Sequence, residues 1–454
     1  MSHYKPYPAY KDSGVEWLGA IPIDWANLRF KWKISRNDGG VWGGDPDGKD
    51  DTVVLRSTEQ TAEGHWKLDD PAPRKLSYDD KTFALLLCGD LLVTKSSGSS
   101  LHIGKTTIVS AEIQDMGCCY SNFMQRIRTR QSFLPKLAWY VMNSEVARRQ
   151  FDFLSNTTTG LANLNGTMIG QIQICVPQLE EQHSIVAHLD HETAYIDGLV
   201  SRKTRFIELL REKRQALITH AVTKGLDPNA PMKDSGVEWL GDVPAHWDVT
   251  RVKYVINSIG QGWSPECESR PVDEGEWGVL KVGCVNGGVF RPTENKALPL
   301  TLIPRPELAL KKGDVLVSRA NTRELVGGCA VVEQDFPLLM ICDKLYRLSV
   351  DNARTNPAFL AALIAVHGRR EVELEATGAS ASMVNIAQSV ILNLQVGLPP
   401  LDEQVAIIVS VVSGTQKYDT LISTTESSIE LLKERRSALI TAAVTGQIDL
   451  RDTV

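Results

Sequence analysis

The sequence predicts an α+β chain built from two similar mixed domains and two long helices, and three observations carry that prediction. Nine residues, Lys11 to Gly19 (KDSGVEWLG), recur unchanged from Lys233 to Gly241, an offset of 222 (233 − 11). The same offset carries Pro22 and Trp25 onto Pro244 and Trp247, Pro135 onto Pro357, and Val176–Gln182 (VPQLEEQ) onto Leu398–Gln404 (LPPLDEQ). Each copy has short strand-like runs, then a proline-led helix, then a long periodic stretch. A repeat far longer than the roughly 20–50 residues of a solenoid unit is a duplicated domain. Between the anchors the side chains diverge, so a common frame carries two different inserts.

In the first insert the strand runs are Thr52–Arg56, Leu91–Lys95, Thr106–Ser110 and Arg126–Thr129, followed by an amphipathic helix over Pro135–Phe151. In the second they are Val279–Val282, Val315–Arg319 and Ala330–Val332, followed by a helix over Pro357–Glu375. Turns feeding apolar runs and a proline at a helix start are the local signals. The linear division is 1–177 (first mixed domain), 178–232 (first long helix), 233–399 (second mixed domain) and 400–454 (second long helix).

From Leu179 to Thr223 there is no proline and one glycine, Gly198, with Pro177 before the stretch and Gly225 and Pro228 after it, the start and stop signals of a helix. Steps of four and three residues predict a coiled-coil seam of Ile185, Leu189, Ile196, Leu199, Phe206, Leu210 and Leu217. The matching steps in the second copy give Ile407, Val411, Tyr418, Leu421, Leu432 and Leu439. Corresponding polar breaks in both copies suit two helices packing on each other.

The 454 residues carry a net charge of −6, which argues against blanket binding to nucleic acid, since that needs a basic face. A local basic groove is compatible with it, because Asp45, Asp47, Asp50, Asp51, Asp69, Asp70, Asp79 and Asp80 gather negative charge in one stretch. No apolar run approaches the roughly 18–20 residues of a membrane helix. The N-terminal residues lack a signal-peptide core, so a cytoplasmic chain is expected. Eight cysteines without a C-x-x-C pair point to reduced, mostly buried thiols.

Gly89–Lys95 (GDLLVTK) and Gly313–Arg319 (GDVLVSR) align, each a turn feeding an apolar strand that ends in a cation. Beyond Lys95 lie Ser97, Ser99, His102 and Lys105; beyond Arg319 lie Asn321, Thr322 and Arg323. Hydroxyl, amide and guanidinium groups on a loop can address base edges and phosphates. Arg56 and Lys281, on the matching upstream strands, complete the candidate set.

Three catalytic look-alikes are set aside. Ser99–Thr106 (SSLHIGKT) approaches a phosphate loop, but starts on serine and runs into a strand-forming stretch where a helix N-terminus is needed. Asp47 with Asp79, Asp80 and Lys81 mimics a nuclease spacing without a counterpart in the second copy. His188, Asp190 and His191 share a helical turn that reads as solvated surface, so no metal is assigned. No Asn-Pro-Pro-aromatic or Asp-Pro-Pro-aromatic run is present to position an amino group for methyl transfer.

The two DSGVEWLG openings, the PQLEEQ and PPLDEQ helix starts and the repeated ALIT-x-AVT helix ends resemble the specificity subunit of a Type I restriction-modification system. So do Thr159-Gly160 with Asn163-Leu164 and Thr377-Gly378 with Asn385-Ile386. The resemblance covers the whole chain. It implies that the inserts are target recognition domains and the long helices conserved spacers packed antiparallel, which turns a direct repeat into a pseudo-two-fold object. It also implies a non-catalytic subunit that reads a bipartite, asymmetric site on double-stranded DNA, the half-sites about one helical turn, roughly 34 Å, apart. Two methyltransferase subunits, and restriction subunits through them, would bind S-adenosylmethionine, ATP and magnesium, leaving this chain with no cofactor of its own. A nucleotide-dependent enzyme would instead need the Lys105 loop to hold phosphate. A tandem protein- or glycan-binding adaptor would explain the duplication but not the long paired helices.

Overall fold

The computed structural model describes residues 4–61, 63–96, 102–155, 163–238, 240–368, 377–380 and 383–451. The chain forms two compact units, Met1–Thr204 with Ser427–Val454 (unit 1) and Arg205–Glu426 (unit 2). Each unit takes part of both long helices, so the units cut across the linear division read from the sequence.

In unit 1, β1 (Ile34–Gly39), β2 (Leu91–Thr94), β3 (Thr106–Ile108) and β4 (Met124–Thr129) form an antiparallel sheet in the order β1-β4-β2-β3. Alternation along β2 sends Leu91 and Val93 into a core with Trp25, Phe30 and Phe133, and Leu92 into another with Val54 and Tyr120. That double burial explains why β2 reads as a continuous apolar run. Helices α1 (Pro135–Met142), α2 (Glu145–Ser155) and α3 (Leu179–Lys224) follow.

Unit 2 repeats the plan: β5 (Ile256–Gln261), β6 (Val315–Ser318), β7 (Cys329–Val331) and β8 (Leu345–Val350) lie in the order β5-β8-β6-β7, then come α4 (Pro357–Leu363) and α5 (Leu401–Val444). A closing ladder pairs Ala26–Arg29 with Gln173–Val176 in unit 1 and Asp248–Arg251 with Gln395–Leu398 in unit 2, residue for residue at the offset of 222. The opening tryptophans are buried, and each donates its indole N–H to the acidic residue of the helix-start motif: Trp25 to Glu181 and Trp247 to Glu403, both at 3.0 Å.

The predicted helix Pro135–Phe151 is two helices. Asn143 ends α1 by donating its amide to the carbonyls of Trp139 (3.0 Å) and Thr106 (2.9 Å), and Ser144 accepts the N–H of Ala147 at the start of α2 (3.4 Å). The predicted helix Pro357–Glu375 is α-helical only to Leu363. A π-helical turn follows over Ile364–Gly368, with a glycine at its end, and residues 369–376 lie outside the described set.

Within each unit the long helices pair antiparallel. In unit 2 Arg211 meets Glu426 (2.9 Å) and Arg214 meets Asp419 (2.8 Å), so advancing along α3 moves back along α5. In unit 1 Arg436 meets Asp197 at 2.9 Å. Ile185, Leu189, Ile196, Leu210, Ile407, Val411 and Leu439 are buried; Leu199, Leu217, Tyr418 and Leu432 are half-buried. Phe206 and Leu421, expected in the seam, are 45 % and 37 % exposed, and Ile207 and Ile422 take those places at buried and half-buried positions. The cause is the spacing at the helix starts: Ile185, Leu189, Thr193 and Ile196 advance by four, four and three, as do Ile407, Val411, Thr415 and Tyr418. An eleven-residue step, at about 3.67 residues per turn, locally unwinds the left-handed twist of a heptad seam and moves alternate seam positions one residue later. The buried Thr193 and Thr425 hydroxyls bond to carbonyls of their own helices, Leu189 and Leu421, at 2.6 Å each.

Candidate nucleic-acid interface

The residues that end β2 and β6 sit in the same three-segment crossing. Lys95 donates its backbone N–H to Phe123 (3.0 Å) and accepts that of Leu164 (2.7 Å); Arg319 donates to Lys344 (2.9 Å) and accepts from Ile386 (2.9 Å). Beside them Gly40 and Gly262 take corresponding places. A β-carbon on Gly40 would strike the carbonyls of Tyr120 and Ser121, and one on Gly262 those of Ile341 and Cys342. The backbone at this end of each sheet is therefore fixed by main-chain contacts, independent of the side chains it presents.

Those side chains differ. In unit 1 the Lys95 ammonium lies 3.1 Å from where a β-carbon on Gly39 would stand, and partial burial lowers its pKa. Around it Gln125 donates to Asn37 (2.6 Å), Asn37 donates to the Gly166 carbonyl (2.8 Å), and Ser96 bonds Asn163 (2.8 Å). Phe123 is 55 % exposed beside Lys95. In unit 2 the Gln125 place opposite the middle strand is taken by Tyr346, whose hydroxyl donates to Ile386 (2.9 Å) and whose ring lies 5.6 Å from the Arg319 guanidinium. Arg319 donates to the Asp343 carbonyl (3.3 Å), as does Gln261 (3.1 Å), and Ser264 hydrogen-bonds the Asp343 carboxylate. Arg305 stacks on Trp263 at 4.3 Å, close to the same crossing through the Trp263–Ile341 backbone bond. One frame thus offers an amide-lined lysine with an exposed phenyl ring, the other an arginine with a second cation and an indole.

The structure divides the other predicted contacts. Ser97 and Ser99 lie outside the described residues, and His102 is exposed on a short turn. Lys105 does not belong to the surface: it is 6 % exposed and its ammonium donates to the Gln60 carbonyl at 2.8 Å. It immediately precedes β3 with its side chain turned inward, and burial lowers its pKa, aided by Arg148. Asn321 is also buried, its amide oxygen accepting the N–H of Thr322 at 2.9 Å, so it shapes its own turn. Thr322 and Arg323 are exposed. Arg56 bonds Glu59 (2.6 Å) and the Asp70 carbonyl (2.8 Å), a structural clasp, whereas Lys281 stands half-exposed 4.0 Å from Glu294. Phe123, Lys344, Trp263 and Arg305 also stand at or beside these crossings, and none of them belongs to the loop sets expected from the sequence. The signal available for Trp263 was its position after Gly262, the counterpart of Gly40.

The catalytic look-alikes have structural partners. Asp47 pairs with Lys75, and Asp80 accepts from Ser77 at a helix start (2.7 Å). His188 bonds Tyr4 (2.9 Å), and Asp190 accepts from Tyr140 (2.6 Å). Among the described residues no group of three or more His, Cys, Asp or Glu side chains is arranged for a metal, and all eight thiols are free. No helix among them is long and apolar enough to cross a membrane.

No protein-family model matches the chain. It is similar to the Type I restriction enzyme EcoEI specificity subunit of Escherichia coli, with 29% identity over 244 residues that span 53% of this chain and 41% of that one. The match to the Type I restriction enzyme MjaVIII specificity subunit of Methanocaldococcus jannaschii is 24% identical and covers 80% of this chain and 79% of that one. In fold, the chain matches a solved chain from a type I R-M system complex with a TM-score of 0.67 and 17% identity, covering 94% of this chain and 99% of that one.

Proposed function

We infer that this chain, a relative of the Type I restriction enzyme specificity subunits, reads double-stranded DNA for such a complex, each unit addressing one half of an asymmetric bipartite site. The supporting observation is the shared crossing with different side chains: Lys95 beside Phe123 in unit 1, Arg319 beside Lys344 in unit 2. A rigid frame with exchangeable reading groups gives two half-sites of different sequence. Arginine or lysine addresses guanine O6 and N7, amides address adenine, and an exposed apolar ring suits a thymine methyl. Local cations supply the phosphate attraction that the net charge of −6 withholds from the chain as a whole.

The chain works without catalysis of its own. Methyl transfer and cleavage belong to partner subunits, two methyltransferase subunits and the restriction subunits joined through them, which hold S-adenosylmethionine, ATP and magnesium. The paired helices dock the methyltransferase subunits and set the length of the unread spacer, and the complex acts in the cytoplasm. The test is methylation of host DNA by the purified chain with and without its methyltransferase partner. Transfer is expected only with both present, at a two-part motif. Transfer by this chain alone, or co-purification with no methyltransferase, overturns the reading.

A further inference from the structure

The duplication exposes a vacancy in one unit that the other fills with its own side chains. In unit 1, α1 carries Lys136, Trp139 and Tyr140. Trp139 donates its indole N–H to the carbonyls of Gly64 (3.0 Å) and Thr106 (3.1 Å), under the Lys136 ammonium at 4.3 Å from the ring. Tyr140 donates to Asp190 at 2.6 Å. At the offset of 222, α4 carries Ala358, Ala361 and Ala362, and Val412 stands for Asp190. The helix starts on the equivalent proline, so the backbone is kept and the rings are gone.

What remains in unit 2 is a cavity of about 530 Å³, bounded by Ala361, Ala362, Val289, Leu325, Val411 and Val412. That volume lies within the roughly 300–1,000 Å³ of ligand sites. The backbone that receives the Trp139 N–H also persists. Gly64 and Gly288 both have positive φ (83° and 78°), and Thr106 and Cys329 hold the same register, opposite Val93 and Val317. Gly288 and Cys329 line the cavity. Arg211 and Arg214, at its edge, are already paired with Glu426 and Asp419.

We propose that this cavity binds a neutral two-ring aromatic molecule with an N–H donor, of the indole class, whose ring takes the place that Trp139 occupies in unit 1. Apolar walls provide the driving force, backbone carbonyls provide the acceptor, and the neutralised arginines give an added carboxylate no advantage.

Indole itself is the probe. The full-length chain is titrated with indole by ligand-observed NMR and by thermal unfolding. One saturable site per chain is expected, with Kd below about 1 mM and an unfolding midpoint that rises with indole concentration. Indene, which lacks the N–H, should bind several-fold more weakly. Ala361→Trp should abolish the titration and raise the midpoint of the ligand-free protein. Should that variant fail to fold, Ala362→Leu, which narrows the same space, should weaken indole at least tenfold. Absence of saturable binding overturns the proposal, as does indole affinity unchanged in the folded filled or narrowed variant. Indene binding as tightly as indole overturns the N–H assignment.

Discussion

The side-chain oxygen of Gln182 accepts the backbone N–H of Leu134 at 2.9 Å, and 222 residues later Gln404 accepts that of Asn356 at 2.8 Å. Each amide nitrogen then donates to two carbonyls, Ser132 and Pro177 in unit 1, Arg354 and Pro399 in unit 2, at 2.9–3.2 Å. A buried amide thus fastens the proline-led helix to the start of a long helix in its own unit. Gln182→Ala or Gln404→Ala leaves buried backbone groups without partners, and each should cost about 1–3 kcal/mol in urea unfolding. Unchanged midpoints would contradict this.

The seam gives a contrast. Ile196→Ala and Ile429→Ala, both buried, should each cost about 2–5 kcal/mol. Leu421→Ala should cost less, about 1 kcal/mol, because the side chain is 37 % exposed. Thermal or urea unfolding reads the difference, and a loss at Leu421 as large as that at Ile196 would return the seam to a pure heptad.

Lys105 and Lys95 should separate folding from binding. Lys105→Met removes the donor to the Gln60 carbonyl and should lower stability by about 1–3 kcal/mol while leaving the affinity of the folded protein for its DNA site unchanged. Lys95→Ala should act on DNA. If the ammonium meets phosphate, affinity falls evenly across sequences and the salt slope shrinks by about one. Binding isotherms at several salt concentrations check both variants.

If unit 1 reads a half-site as proposed, Phe123→Ala should relax preference in that half without changing the salt slope, since the side chain is an exposed apolar ring. A changed slope with unchanged preference would place it against the backbone of the DNA only.

Much of this architecture was legible because the chain writes it twice. The offset of 222 marked the residues that hold the frame, and the paired Trp–Glu and Gln–backbone bonds explain why those residues repeat. The phase of the seam was not legible, because a four-four-three step and a heptad differ by one residue and only burial separates Phe206 from Ile207. Lys105 misled because a lysine next to a polar loop reads as surface until its ammonium is found turned inward on the Gln60 carbonyl. Phe123 was hidden because its place beside Lys95 comes from a backbone bond that spans 28 residues (123 − 95).

The division of labour between the units is tested most directly by sequencing the methylated motif in host cells carrying either the parent chain or Arg319→Ala. The variant should relax one position of one half-site, by about 1–3 kcal/mol if the guanidinium addresses guanine, while the other half stays as selective as before. Loss of selectivity in both halves together, or a motif unaltered by Arg319→Ala, Lys344→Ala and Lys95→Ala alike, would contradict it.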